Sequence, residues 1–169
     1  MTGNNLLDEL IAKESIRNVI YKYCRSMDRI DKEMGYEVFS PECQVDYGIL
    51  FKGTGYGFID WVSDFHSSKI LATSHQVSNS IIQINGDKAG SETYVHVVLR
   101  SQNNDGRLQE QMGFGRYIDE WALSGGEWKI TQRKYVTDIS DVRDITNDTG
   151  QTGGGSRDKN DPSYSVLGR

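Results

Sequence analysis

Apolar residues at Leu6, Leu7, Leu10, Ile11, Ile16, Val19, Ile20, Tyr23, Cys24 and Met27 recur at three- and four-residue spacing. This pattern predicts a helix from about Leu6 to Met27 with one core-facing stripe, capped by Asn4 or Asn5. A second short helix is expected after Asp31, ending near Phe39 before Ser40-Pro41. Cys43 to Phe51 reads as a strand bent at Gly48. Gly53, Gly55 and Gly57 then form a loop into a helix from Phe58 to Phe65, with Phe58, Trp61, Val62 and Phe65 on one face. The three glycines approach a dinucleotide fingerprint, but no βαβ unit surrounds them.

From Lys69 onward the pattern switches to strands, expected at Ser74 to Ile84, Ser91 to Ser101, Arg107 to Glu120 and Glu127 to Asp138. The intervening turns, NGDKAG, NNDG and SGG, hold residues that tolerate positive φ, so neighbouring strands should run antiparallel. Helices first and a meander after them predict an α+β fold. Its curved, mostly antiparallel sheet wraps a long N-terminal helix as a cone-shaped barrel. If Gly86-Asp87 is a two-residue hairpin loop, Val77 stands opposite His96, and His75 and His96 share a face with Asn79 and Ile81, and with Tyr94 and Val98. Arg133 and Tyr135 share a face opposite to Ile130 and Val136. Residues 1–138 therefore read as one domain and 139–169 as a polar, glycine-rich tail with no core of its own, disordered by composition.

Asp28 continues the buried stripe, four residues after Cys24 and eight after Ile20. A carboxylate there needs a donor or a cation, or it carries a desolvation penalty of several kcal/mol. His75 is the expected donor. The alternative is that Asp28 caps the next helix or is solvated where the first one ends. Histidine is the natural general base near neutral pH, and a carboxylate fixes its tautomer. Taken alone, His75 reads first as a satisfied structural histidine. Tyr23 and Tyr47 could donate to a developing oxyanion or simply pack in the core. His96 could be a second acid-base group, Arg133 could hold an anionic or phenolic oxygen, and His66 is read as structural.

The 169 residues carry a formal net charge of −5 with scattered basic side chains, which argues against nucleic acid. No signal peptide or membrane-length apolar run is visible, so a cytoplasmic location is expected. Cys24 and Cys43 lack metal-site spacing and read as buried thiols. No cofactor is expected.

The phrases IRNVIYKYCRSMDRID, FSPECQVDYG, TSHQVSNSIIQINGDKA and GEWKITQRKY, in this order, resemble the SnoaL-like branch of the nuclear transport factor 2-like superfamily of cystatin-type α+β cones. The likeness covers about Leu6 to Val136. Within it the chain is similar to the cofactor-free lyases scytalone dehydratase, bile-acid 7α-dehydratase and hexachlorocyclohexane dehydrochlorinase. The resemblance implies an Asp28-His75 dyad, with Tyr23, Tyr47, His96 and Arg133 at matching or nearby places. It implies a lyase acting by proton abstraction in a dehydration, elimination or deformylation. The substrate class is a hydrophobic aromatic or polycyclic hydroxylated small molecule, such as a lignin-derived diarylpropane or a steroid-like compound. A homotrimer or dimer is expected by the same analogy. The alternative is a non-catalytic ligand-binding or assembly subunit, such as the small subunit of an aromatic-ring dioxygenase.

Overall fold

The computed structural model describes residues 3–147 and 154–168, with side chains from residue 6 onward. Helix α1 runs Gly3–Arg29, so Asn4 and Asn5, expected just before it, fall inside its span. Ile16, Ile20, Tyr23, Cys24 and Met27 bury the predicted stripe. Leu6, Leu7, Leu10 and Ile11, assigned to the core by the same spacing, are more than half exposed. The helix's first turns lie beside the hairpin turns at Gly86 and Gly126, where the sheet ends.

After α1 the chain reverses sharply. Ile30 adopts a left-handed φ of 51°, rare for a β-branched residue, and the Asp31 N–H returns to the Ser26 carbonyl. Asp31 then caps α2 (Lys32–Tyr36) by accepting from the Met34 N–H. The end of α1, which carries Asp28, is thereby fixed from both sides.

Strand β1 (Phe39–Asp46) begins earlier than expected and includes Pro41, which sits where the ladder to its neighbour is interrupted and its missing N–H costs nothing. It stops at Asp46. Gly48, at φ 66°, turns the chain back into β2 (Lys52–Thr54), which pairs antiparallel with β1. Helix α3 (Gly55–Lys69) starts at Gly55, packed so closely on Phe39 that a side chain would collide with its ring. Phe58, Ile59, Val62 and His66 form its buried face, while Trp61 and Phe65 stack on each other at its edge.

The long strands β3 (Ile70–Asn85), β4 (Lys88–Gln102), β5 (Leu108–Ser124) and β6 (Glu127–Asp144) form the expected antiparallel meander. Among the described residues six strands make one sheet in the order β2-β1-β6-β5-β4-β3, with β1 parallel to β6. Helix α1 touches both the edge strand β3 and the central strand β6, which requires the sheet to curl around it. The sheet stays open, because β2 and β3 do not pair.

Of the four register shifts in the meander, two decide which way the candidate side chains face. The β3-β4 register holds from Asn85↔Lys88 to Ser80↔Thr93, then slips to Val77↔Val95 and Gln76↔His96. The β5-β6 register slips in the same way between Trp121↔Ile130 and Glu120↔Gln132, so that Ile130 and Arg133 both point to the core.

Strand β6 continues through Asp144, beyond the expected end at Asp138. Of the segment read as a disordered tail, residues 154–168 lie along the domain and end in helix α4 (Pro162–Leu167), which buries Tyr164. The anchor is polar. Lys159 and Tyr164 both donate to Asp31, Arg25 donates to Ser163, and Arg29 pairs with Asp161.

Candidate active site

Asp28 sits in the last turn of α1, facing the start of β3. Its Oδ1 accepts from His75 Nδ1 at 2.7 Å and its Oδ2 accepts from the His75 backbone N–H at 3.0 Å. A carboxylate only accepts, so Nδ1 carries the proton and Nε2 of the neutral ring keeps its lone pair. The His75 side chain is 7% exposed and Asp28 17%, so the pair is shielded without being sealed. Behind it lies His66, its ring centre 6.3 Å from that of His75 and its Nδ1 3.4 Å from the Met27 carbonyl. Burial, reinforced by His75, pushes the His66 ring down to about 4 and keeps it neutral.

One step deeper lies a second cluster. Arg133 and Asp119 are both fully buried and joined by two parallel bonds of 2.7 Å, from Nε and Nη2 to the two carboxylate oxygens. The guanidinium lies between the rings of Tyr23 and Tyr117, 4.2 Å from each centre. The Tyr23 and Tyr47 hydroxyls are hydrogen-bonded at 2.8 Å, and the Tyr47 ring stacks on Phe58 at 4.0 Å. Burial pushes Tyr47 up to about 12 against the pull of Arg133, and Tyr23 rises further, chiefly from burial and then from Tyr47. Both phenols therefore stay protonated and able to donate. Burial would lower Arg133, but Asp119 together with Tyr47 and Tyr23 outweighs it and holds the cation well above its usual range. Burial pushes the Cys24 thiol up to about 12, opposed by Arg133 and reinforced by Asp28.

The six residues singled out from sequence thus divide. Asp28 meets His75, and Tyr23, Tyr47 and Arg133 share one buried cluster. His96 does not join them. The β3-β4 bulge turns it to the opposite face from His75, where its ring stacks on Phe114 at 4.1 Å beside exposed Tyr94. Ile81, expected to share the face of His75, is outward for the same reason and 59% exposed. Asp119 and Tyr117 had no sequence signal. Counting from the SGG turn sets Asp119 opposite Gln132, and only the bulge brings it to Arg133.

A large groove of about 840 Å³ runs along β3 to β5, lined by Ile81, Gln83, Glu92, Ile118 and Glu120 among others, and it contains neither cluster. Its acid Glu92 is bound by Arg116. The Asp28-His75 pair, which brings a base and a carboxylate into contact, is therefore the candidate site. Among the described residues no group of three or more His, Cys, Asp or Glu could hold a metal ion.

The profile of a SnoaL-like domain matches residues 8–134. No curated protein sequence matches the chain. Among solved structures, a candidate scytalone dehydratase from Novosphingobium aromaticivorans is 22% identical, with 90% of this chain and 100% of that one aligned at a TM-score of 0.71. A type 2 hexachlorocyclohexane dehydrochlorinase is 13% identical, over 87% of this chain and 98% of that one, at a TM-score of 0.75. A Mycobacterium tuberculosis protein of unknown function is 18% identical, over 96% and 88%, at 0.67. At these identities the likeness concerns the fold.

Proposed function

The chain belongs to the SnoaL-like domain family, and from that premise we propose that it is a cofactor-independent lyase acting on a hydrophobic, aromatic or polycyclic, hydroxylated small molecule. The observation that carries this reading is the double hold of Asp28 on His75. His75 Nε2 takes a proton from carbon. The electron pair of that C–H bond becomes a new double bond, and the group on the neighbouring carbon leaves with its own bonding pair. Asp28 stabilises the imidazolium that forms. Tyr23 and Tyr47, protonated and close to the Arg133 cation, are suited to donate to an oxygen that gains charge. Dehydration and loss of halide follow this scheme; in a deformylation-type cleavage of a diarylpropane His75 takes the proton of the terminal hydroxyl instead, that O–H pair forms the carbonyl of formaldehyde, the released C–C pair forms the double bond, and the neighbouring hydroxyl leaves with its own pair. His96, on the outer face, has no part in it.

Turnover of candidate substrates by the purified chain, each compared with His75→Ala, is the direct test. Product formation that persists unchanged in His75→Ala would remove the dyad from the reaction.

A homo-oligomer, trimer or dimer, is part of the same proposal. Its support is the exposed apolar surface: Leu6, Leu7, Leu10 and Ile11 on α1, and Ile81, Phe114, Ile118, Ile139 and Val142 on the sheet. Mass measurement by light scattering tests it. The same surface favours a second reading, a non-catalytic assembly subunit like the small subunit of an aromatic-ring dioxygenase. Co-purification with a larger iron-containing chain, together with silence of the dyad in turnover assays, would select that reading.

A further inference from the structure

Arg157, on the C-terminal segment and outside the family-matched residues, docks on the backbone of His66, whose ring lies behind the dyad. Its Nη1 donates to two carbonyls at the end of α3, His66 O at 3.3 Å and Ile70 O at 2.5 Å. Its Nε and Nη2 are buried and have no partner. Thr73 Oγ1 is also buried without a partner, and it lies on the face of β3 that carries His75, two residues before it. Arg157 is half-buried as a residue, but unmet donors at buried atoms of a cation are costly, and two on one guanidinium edge mark a missing acceptor.

Among the described residues none supplies that acceptor. Both oxygens of Asp28 are committed to His75, Asp31 is taken by Lys159 and Tyr164, and Asp161 by Ser156, Ser163 and Arg29. Burial lowers the Arg157 pKa, opposed by Asp28, so the guanidinium stands in the field of the dyad and has no ion-pair partner among the described residues. The unpartnered edge is the Nε/Nη2 side. Arg133 shows in this same molecule what that edge takes, since there it holds the two oxygens of Asp119.

We propose that the Nε/Nη2 edge of Arg157 is the seat for an anionic oxygen group, a carboxylate or phenolate, on the molecule that the dyad acts on. The seat rests on the dyad reading for its purpose, although its existence is a matter of binding alone. It narrows the substrate class to aromatic molecules with an acidic oxygen. It also gives the C-terminal segment a function, because the polar anchor at Asp31 delivers Arg157 to the site.

The test is calorimetric titration of the full chain with benzoate and with neutral, similarly shaped benzamide. Benzoate should bind at least about tenfold more tightly than benzamide, as expected for a charge-assisted two-point contact. Arg157→Gln should abolish that difference and leave benzamide unchanged. Arg157→Lys, which keeps the charge but loses the fork, should fall between. Equal binding of the two probes to the unaltered protein, unchanged benzoate binding in Arg157→Gln, or a parallel loss of both probes would each overturn the seat. Because turnover is not read, a chain that binds benzoate through Arg157 yet eliminates nothing keeps the seat and loses the lyase.

Discussion

Asp28 grips His75 twice, once through the ring and once through the backbone amide. This double contact sets the outcome of Asp28→Asn. An asparagine that still accepts from the amide must present its NH₂ to Nδ1. Nδ1 then becomes the acceptor and the proton moves to Nε2, which loses the lone pair a base requires. Turnover should fall by about a hundredfold or more with the fold intact. The ¹⁵N signals of the His75 ring should show the exchange of tautomers without any substrate present. An unchanged ring spectrum would refute the assigned tautomer.

His66 provides a pH signature. Its ring is pushed down to about 4 by burial and by His75, whereas an unfolded histidine titrates near 6.5. Between those values the unfolded chain binds a proton that the folded chain does not, so stability is lost as pH falls through this window and is unaffected above it. The slope reaches about 1.4 kcal/mol per pH unit, on the order of 3 kcal/mol in all. The low-lying carboxyls of Asp31 and Asp161 contribute mainly below the usual aspartate range. Urea midpoints at pH 7.5 and 5 should differ clearly more in the unaltered protein than in His66→Gln. Equal differences would place the histidine's titration elsewhere.

The order of helices and strands was legible because hydrophobic period and turn residues act locally. The hairpin at Gly86-Asp87 set Asn85 opposite Lys88 as counted. What could not be read was the cumulative register. One extra residue near Ser78 sends His96 and Ile81 outward, and one near Thr131 brings Asp119 to Arg133. A bulge leaves no compositional mark comparable to a turn. The Asp28-His75 contact was accessible because it depends on the end of one helix and the start of one strand, ahead of either slip. Arg157 was hidden for another reason: its segment has too few apolar residues to predict docking, and polar contacts to Asp31 and Arg29 hold it.

The buried ion pair gives a stability prediction of the opposite kind to the pH window. Asp119→Asn leaves the Arg133 cation without its counter-charge, with the rings of Tyr23 and Tyr117 as its remaining neighbours. Loss of one partner of such a pair costs about 3 to 5 kcal/mol. The double variant Asp119→Leu with Arg133→Met removes both charges and should recover most of that loss. A double-mutant cycle by chemical denaturation measures the coupling. If the proposed role of Arg133 beside the two phenols is right, the recovered double variant stays inactive. Full activity in it would make the pair purely structural.

Asp31 joins two tasks that a single substitution can separate. One oxygen caps α2 through the Met34 N–H at 3.1 Å; the other accepts from Lys159 at 3.0 Å and Tyr164 at 2.8 Å. Burial pushes this carboxyl up, but the Met34 amide, Lys159 and Tyr164 outweigh it and hold it below the usual range. Asp31→Ala loses the cap, about 1 kcal/mol, and also the acceptor that seats the segment. Tyr164→Phe loses only one bond to the segment and leaves the cap in place. Both variants should speed proteolysis around residues 154–168, while only Asp31→Ala lowers the midpoint of global unfolding appreciably. Since the segment carries Arg157, benzoate affinity should weaken in the same order as cleavage accelerates. Protection of the segment from protease in Asp31→Ala would mean that Arg25, Arg29 and Arg157 suffice to hold it, and that the anchor lies with the arginines instead.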